Sequence, residues 1–191
     1  MTAQIDDRVF HSRLEYSLVG VSGLGLFDPK EHLSFEPAAV CTACWRGYVA
    51  HYKVADERLY LDKLEVGLPI KSRAGKGPEL FGKESSGVSK FMSLHQFENL
   101  SFLMPFSGGL LLGNGFLREL YVYMGLHHAW KYKKVVELMF EDGVLVESSD
   151  HSERMAEIRE RMLIDGEFNR WKSGDERKIR ELIEQSFSRN Y

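Results

Sequence analysis

Cys41-Thr42-Ala43-Cys44 has the spacing of a redox dithiol or of half a zinc site. A redox pair wants its first thiol at a helix N-terminus, where the dipole favours the thiolate, but Trp45 to Val54 has the apolar and aromatic run of a strand. A closed zinc site needs four ligands, and the sequence holds neither a second Cys pair nor a His pair at finger spacing. Both cysteines therefore read as small buried hydrophobes, and no metal or cofactor is expected. His127 and His128 are adjacent, so on regular structure their rings diverge. Either could still join His51 or His95 across the fold, and imidazole titrates near neutrality, which keeps a general acid/base role open beside a structural one.

The glycine-rich pieces do not cradle phosphates. Gly20-Val21-Ser22-Gly23-Leu24-Gly25 has the wrong order for a dinucleotide fingerprint, Gly113-Asn114-Gly115 runs into strand-like residues, and Gly75-Lys76-Gly77 lacks the rest of a phosphate loop. Ser22 and Ser107 follow no nucleophile-elbow pattern. What remains is a polar and aromatic pattern on strands. Arg46, Tyr48, Tyr52 and Val54 fall on one face of a first hairpin, and Leu117, Glu119, Tyr121 and Tyr123 on one face of a second. If those faces converge, Arg46, Tyr48, Glu119, Tyr121 and Tyr123 form a ligand site. In it the guanidinium receives an anion, the carboxylate neutralises it when empty, and the phenols stack and hydrogen-bond. The plainer alternative is an Arg46–Glu119 pair bridging strands beside core tyrosines.

The elements that would position these groups are mostly strands. Leu14, Tyr16 and Leu18 alternate before Gly20, Gly23 and Gly25, a pattern that predicts a short strand and a bend. Trp45–Val54 and Arg58–Val66 predict a hairpin across Ala55, Asp56 and Glu57. Asn114-Gly115 predicts a second hairpin turn between Leu110–Leu112 and Phe116–Met124, and Gly143 a third between Lys134–Phe140 and Val144–Glu147. Between about 67 and 93, Gly, Ser, Lys and Pro without an apolar period predict a flexible insertion. After Asp150 the period becomes helical. Met155, Ile158, Met162 and Leu163 share one face, Ile179, Leu182, Ile183 and Phe187 another, and Ser173 with Glu176 has capping-box spacing.

A chain of 191 residues with 43% hydrophobic residues can bury a single core, and a net charge of −3 gives no bulk attraction to nucleic acid or to anionic membranes. No stretch approaches the roughly 20 apolar residues of a membrane-spanning helix, and two cysteines suit a reduced cytoplasmic setting.

The stretch Thr42-Ala43-Cys44-Trp45-Arg46-Gly47-Tyr48 running into Leu59-Tyr60-Leu61 resembles a family of uncharacterised bacterial proteins. So do Phe106-Ser107-Gly108, Leu120 to Gly125, and Phe140-Glu141-Asp142-Gly143. The resemblance covers roughly residues 14 to 148 and implies a bacterial β-rich domain. It brings no activity and no functional residues.

The expected fold is α+β: a curved antiparallel sheet or partly closed barrel over residues 1–150, with two amphipathic helices over 151–191 packed on it. The expected function is that of a binding or interaction protein holding a small molecule or peptide in the β core, without nucleic acid or membrane as partner. The alternative is a small hydrolase or isomerase using a His and a carboxylate. A cleft in which those two groups converge with shifted pKa values would favour the enzyme, and an exposed apolar patch a protein partner.

Overall fold

The computed structural model describes residues 3–69, 78–90, 92–122 and 125–164. Its first element is a hairpin absent from the sequence reading. Strand β1 (Arg8–His11) turns through Ser12 and Arg13, both at positive φ, into β2 (Leu14–Leu24). The register pairs Val9 with Tyr16 and Arg8 with Ser17, so the apolar pair faces one side and the polar pair the other. β1 also runs parallel to β3 (Tyr48–Ala55), which returns as β4 (Arg58–Val66) across Asp56 and Glu57. That hairpin matches the sequence expectation, except that its first strand starts at Tyr48. Cys44 to Gly47 form a turn in which Gly47 N–H donates to the Cys44 carbonyl at 3.2 Å.

On the other side of β2 lies β10 (Ser107–Phe116), followed by β11 (Tyr132–Glu141) and β12 (Val144–Asp150). The β11–β12 turn uses Asp142 and Gly143, at φ 47° and 77°, as the turn residues imply. β12 then meets β4 at Val144 and Arg58, with the Leu59 and Leu145 amides donating to the Gly143 and Glu57 carbonyls at 2.9 and 2.7 Å. The strands thus form a ring in the order β12, β11, β10, β2, β1, β3, β4. Closure pairs edges that would otherwise present unpaired amides.

Side chains fill the ring. Val9, Tyr16, Leu18, Tyr52, Leu61 and Leu138 all lie in one buried cluster, each contributing about 1.5–3 kcal/mol by leaving water. A second cluster covers the outer face of β10 and β11, where Leu111 and Val135 meet Met155, Ile158 and Met162 of α2 (Ser152–Ile164). Arg159 pins this helix by donating through Nη1 to the Trp130 and Tyr132 carbonyls at 2.8 and 3.1 Å. Leu163, expected on the buried face, is half exposed. The second expected helix lies outside the described residues.

Three expectations are corrected. Asn114-Gly115 is no hairpin turn: β10 runs through it, with Asn114 paired to Lys134 and its Nδ2 donating to the Glu15 carbonyl at 2.8 Å. Pairing with β11 continues past it to Phe116 and Tyr132 although the β2 ladder stops at Gly113; this long-range pairing outweighs the local turn preference, and the chain beyond becomes a 3₁₀ turn at Arg118–Leu120 instead of a strand. Nor is β2 short: it continues through its glycines to Leu24, with a register shift at Val19 beside Gly20. Gly23 lies opposite Gly108, and a Cβ on Gly23 would stand 2.2 Å from the Ser107 carbonyl oxygen. The glycines there permit close approach of two strands.

The described part of the insertion carries β5 (Glu79–Leu80), β6 (Lys83–Glu84) and β7 (Gly87–Val88), the last paired with β8 (His95–Phe97); β9 (Phe102–Leu103) pairs with β4, and a single helical turn, α1 (Pro29–His32), lies between β2 and β3. Leu80 enters the ring's core cluster, a single anchor too sparse to create a period. Residues 70–77 lie outside the described residues.

Candidate functional site

The segment ahead of β1 is held by backbone and side-chain bonds on two sides. Gln4 N–H donates to the Gly125 carbonyl at 2.8 Å, Ile5 N–H to Ala43 at 2.9 Å, and Trp45 N–H to Gln4 Oε1 at 3.0 Å. This route carries Asp6 and Asp7 into the protein, where both are buried. The two carboxyls have different surroundings.

Asp7 receives a bidentate guanidinium. Arg46 Nη1 and Nη2 donate to it at 2.7 and 2.6 Å, and the Ala50 amide donates at 2.5 Å. Arg46 Nε donates to the Tyr48 carbonyl at 3.0 Å while its Cζ lies 4.7 Å from the Tyr48 ring centre. Arg46 therefore has a carboxylate, a carbonyl and an aromatic face as partners. The Arg46–Glu119 pairing expected from alternating faces does not form, because Leu117 to Tyr121 is not a strand and Glu119 is exposed on the 3₁₀ turn. Tyr48 stays with Arg46, Tyr121 lies elsewhere, and Tyr123 falls outside the described residues.

Asp6 lines a cavity of about 830 Å³ on the outer side of the ring, between the N-terminal segment, β1, β2, the end of β10 and the start of β11. Its Oδ2 accepts from the Tyr132 hydroxyl at 3.1 Å, while Oδ1 has no hydrogen-bond partner among the described residues. Burial raises the Asp6 carboxyl above its usual range, against the opposing pull of Ser17, Tyr132 and Arg8. Burial also raises the Tyr132 phenol. Arg8 Nη1 donates to Ser17 Oγ at 2.9 Å, which follows from the outward-facing Arg8–Ser17 register pair.

Gly113 makes room for this arrangement. Its missing Cβ would stand 2.6 Å from Tyr132 Cγ, so the ring lies flat over the strand with its hydroxyl at Asp6.

His127 supplies the opposite wall. Its ring lies 4.5 Å from that of Phe116 and 5.1 Å from that of Tyr121, centre to centre. Its Nδ1 is buried without a hydrogen-bond partner among the described residues. Burial, reinforced by Lys131, lowers its pKa to about 4, so it stands neutral near pH 7. Arg118 also lines the cavity.

The site thus brings together a carboxyl whose pKa burial raises, a neutral imidazole, two guanidinium groups and a set of aromatic rings. Of the four described residues among the five singled out by sequence, Tyr121 alone belongs to this wall. Asp6, Arg8, Phe116, His127 and Tyr132 carry no local motif; the His127-His128 pair was the one legible signal.

The other sequence candidates separate. His51 Nε2 lies 3.8 Å from Glu65 Oε2, and Lys63 Nζ lies 2.9 Å from Glu65 Oε1. Hydrogen bonds, with His51 first and Lys63 and Gln96 after it, lower the Glu65 carboxyl to about 2. Cys41 is exposed and Cys44 buried, both as free thiols. Burial raises the Cys44 thiol, the wrong direction for a reactive thiolate. Among the described residues no three His, Cys, Asp or Glu side chains are grouped to hold a metal ion, and no helix is long and apolar enough to cross a membrane.

Comparison with protein-family models, with curated proteins and with solved structures gave no match to this chain.

Proposed function

We propose that this protein binds a small molecule in the cavity between Asp6 and His127. The observation that carries the reading is that two residues lining one cavity, Asp6 and His127, each hold a buried polar atom, Oδ1 and Nδ1, without a hydrogen-bond partner among the described residues. A buried group left unpaired costs about 1–3 kcal/mol, and a ligand offering complementary polar atoms recovers that loss. The aromatic walls and the volume suit a small-molecule site. The ligand then sits outside the ring rather than in its packed interior.

The test is a metabolite screen by amide NMR. Binding should shift the amides of Asp6, Ser17, Tyr121 and His127 together, and Tyr121→Ala should weaken it. A broad screen that moved none of these amides would overturn the reading.

A second reading, acid–base catalysis, is favoured by one feature. The Asp6 carboxyl is raised and the His127 imidazole lowered, opposite shifts of the kind that separate an acid from a base within one site. If a bound compound is turned over, Asp6→Asn should abolish turnover while binding changes only a few-fold. Equal loss of both would assign Asp6 to binding alone.

A further inference from the structure

Resting on the pocket reading above, we propose that the cavity takes a planar nitrogen heterocycle bearing an anionic group, the chemistry of a nucleoside monophosphate. Three features of the wall support the class. The first is charge. Arg8 is bonded to the neutral Ser17 hydroxyl, and neither Arg8 nor Arg118 forms a salt bridge among the described residues. The lining sets two guanidinium groups, Arg8 and Arg118, against the single carboxyl of Asp6, and its imidazole is neutral, so the wall carries a net positive charge. A guanidinium at the rim is well suited to a phosphate, through its planar donor fork.

The second feature is shape. Phe116, Tyr121 and His127 pack as a cluster of rings at one side of the cavity, with Tyr132 5.3 Å from Phe116. Aromatic side chains of this kind offer faces to a flat base.

The third is the polar edge. Asp6 Oδ2 is committed to Tyr132, which leaves Oδ1 to accept from a ring N–H or, when protonated, to donate to a ring nitrogen or carbonyl. A heterocycle carries such donors and acceptors in its plane, whereas a benzoate-like ring carries none. The volume, about 830 Å³, leaves room for a base, a sugar and a phosphate together.

The experiment titrates the full chain by calorimetry and amide NMR with the four common ribonucleoside 5′-monophosphates, the matching nucleosides, and inorganic phosphate. At least one monophosphate should bind roughly tenfold or more tightly than its nucleoside and than phosphate. Its affinity should fall as salt rises. Arg118→Ala, at an exposed position that should not disturb folding, should weaken the monophosphate roughly tenfold and leave the nucleoside unchanged. Asp6→Asn should alter the preference among bases more than the overall affinity for phosphate.

Nucleosides binding as tightly as monophosphates would overturn the anionic part. Inorganic phosphate binding as tightly would overturn the heterocycle. Should no monophosphate bind below about 5 mM while other metabolites shift the cavity amides, the ligand class falls and the pocket stands. Silence from every compound would remove both.

Discussion

Asp7 and Arg46 lie 39 positions apart with the whole β1–β2 hairpin between them, yet they make the tightest polar contact of the region, with two guanidinium bonds and one amide bond on a single carboxylate. Arg46 is partly open to water and Asp7 is not, their side chains being 37% and 8% exposed. Removing the arginine strands a buried carboxyl with one amide donor. Arg46→Ala should therefore cost about 2–3 kcal/mol in urea unfolding, below the full loss for a wholly buried pair because Arg46 is solvated in part. Loss under about 0.5 kcal/mol would mean that the pair contributes little. At the cavity, Gly113→Ala should push the Tyr132 ring off its strand and break the Tyr132–Asp6 bond. The expected result is a loss of about 1–3 kcal/mol together with loss of ligand response at the Asp6 amide. An unchanged crystal position for Tyr132 in that variant would remove the steric account.

At the scale of elements, the ring is assembled from hairpins whose short turns use left-handed backbone. Ser12-Arg13, Asp56-Glu57 and Asp142-Gly143 all place both turn residues at positive φ, as does Phe81-Gly82 in the separate β5–β6 hairpin. Type I′ geometry matches the twist of the flanking strands, which is why it recurs even where glycine is absent. Non-glycine residues there carry strain. Glu57, at φ 56°, uses its carbonyl to accept from Leu145, a bond that a glycine keeps. Glu57→Gly should relieve about 1 kcal/mol of strain, offset in part by the entropy of the unfolded chain. A net gain of about 0.5 kcal/mol and a melting rise of roughly 1–2 °C are expected. A lower melting temperature would show that the Glu57 side chain stabilises the turn more than its backbone strains it.

At the scale of the whole molecule, buried basic groups set how stability depends on pH. His127 and His128 both titrate near 4 in the folded chain, through burial first and Lys131 second, against about 6.5 when unfolded. The unfolded chain therefore takes up protons first as pH falls. Stability from these groups is complete above about 6.5 and is lost as pH falls from there towards 4. Asp6 works the other way, since its raised folded value contributes stability at low pH that is lost as pH rises through that value. Glu65, lowered to about 2, contributes above about 4.5 and loses that contribution only as pH falls below it. Between pH 7.5 and 5 the histidines contribute up to about 2 kcal/mol each, opposed by Asp6 and by Asp7, whose carboxyl burial also raises. The urea midpoint should fall across that interval, and His127→Gln should remove about half of the fall. A midpoint independent of pH, or one that rises on acidification, would contradict the burial of these rings.

Local chemistry was enough to read two of the hairpins and the first helix. The β3–β4 turn follows from Asp56 and Glu57 between alternating apolar runs, the β11–β12 turn from Asp142-Gly143, and α2 from the spacing of Met155, Ile158 and Met162. In each the deciding interactions lie within a few residues, so period and turn type carry the information. Tertiary structure decided the rest. Asn114-Gly115 stays in a strand because β11 pairs with β10 through Asn114 and Phe116, and Gly113 is needed for a ring that arrives from Tyr132. The cavity itself joins Asp6 to Tyr132, 126 positions apart, through a parallel β1–β3 pairing and a ring closure for which no residue spacing is a signal. Burial then shifts Asp6 and His127 in opposite directions. Depth below the surface is a property of the packed chain, and it gives these two ordinary residues their chemistry.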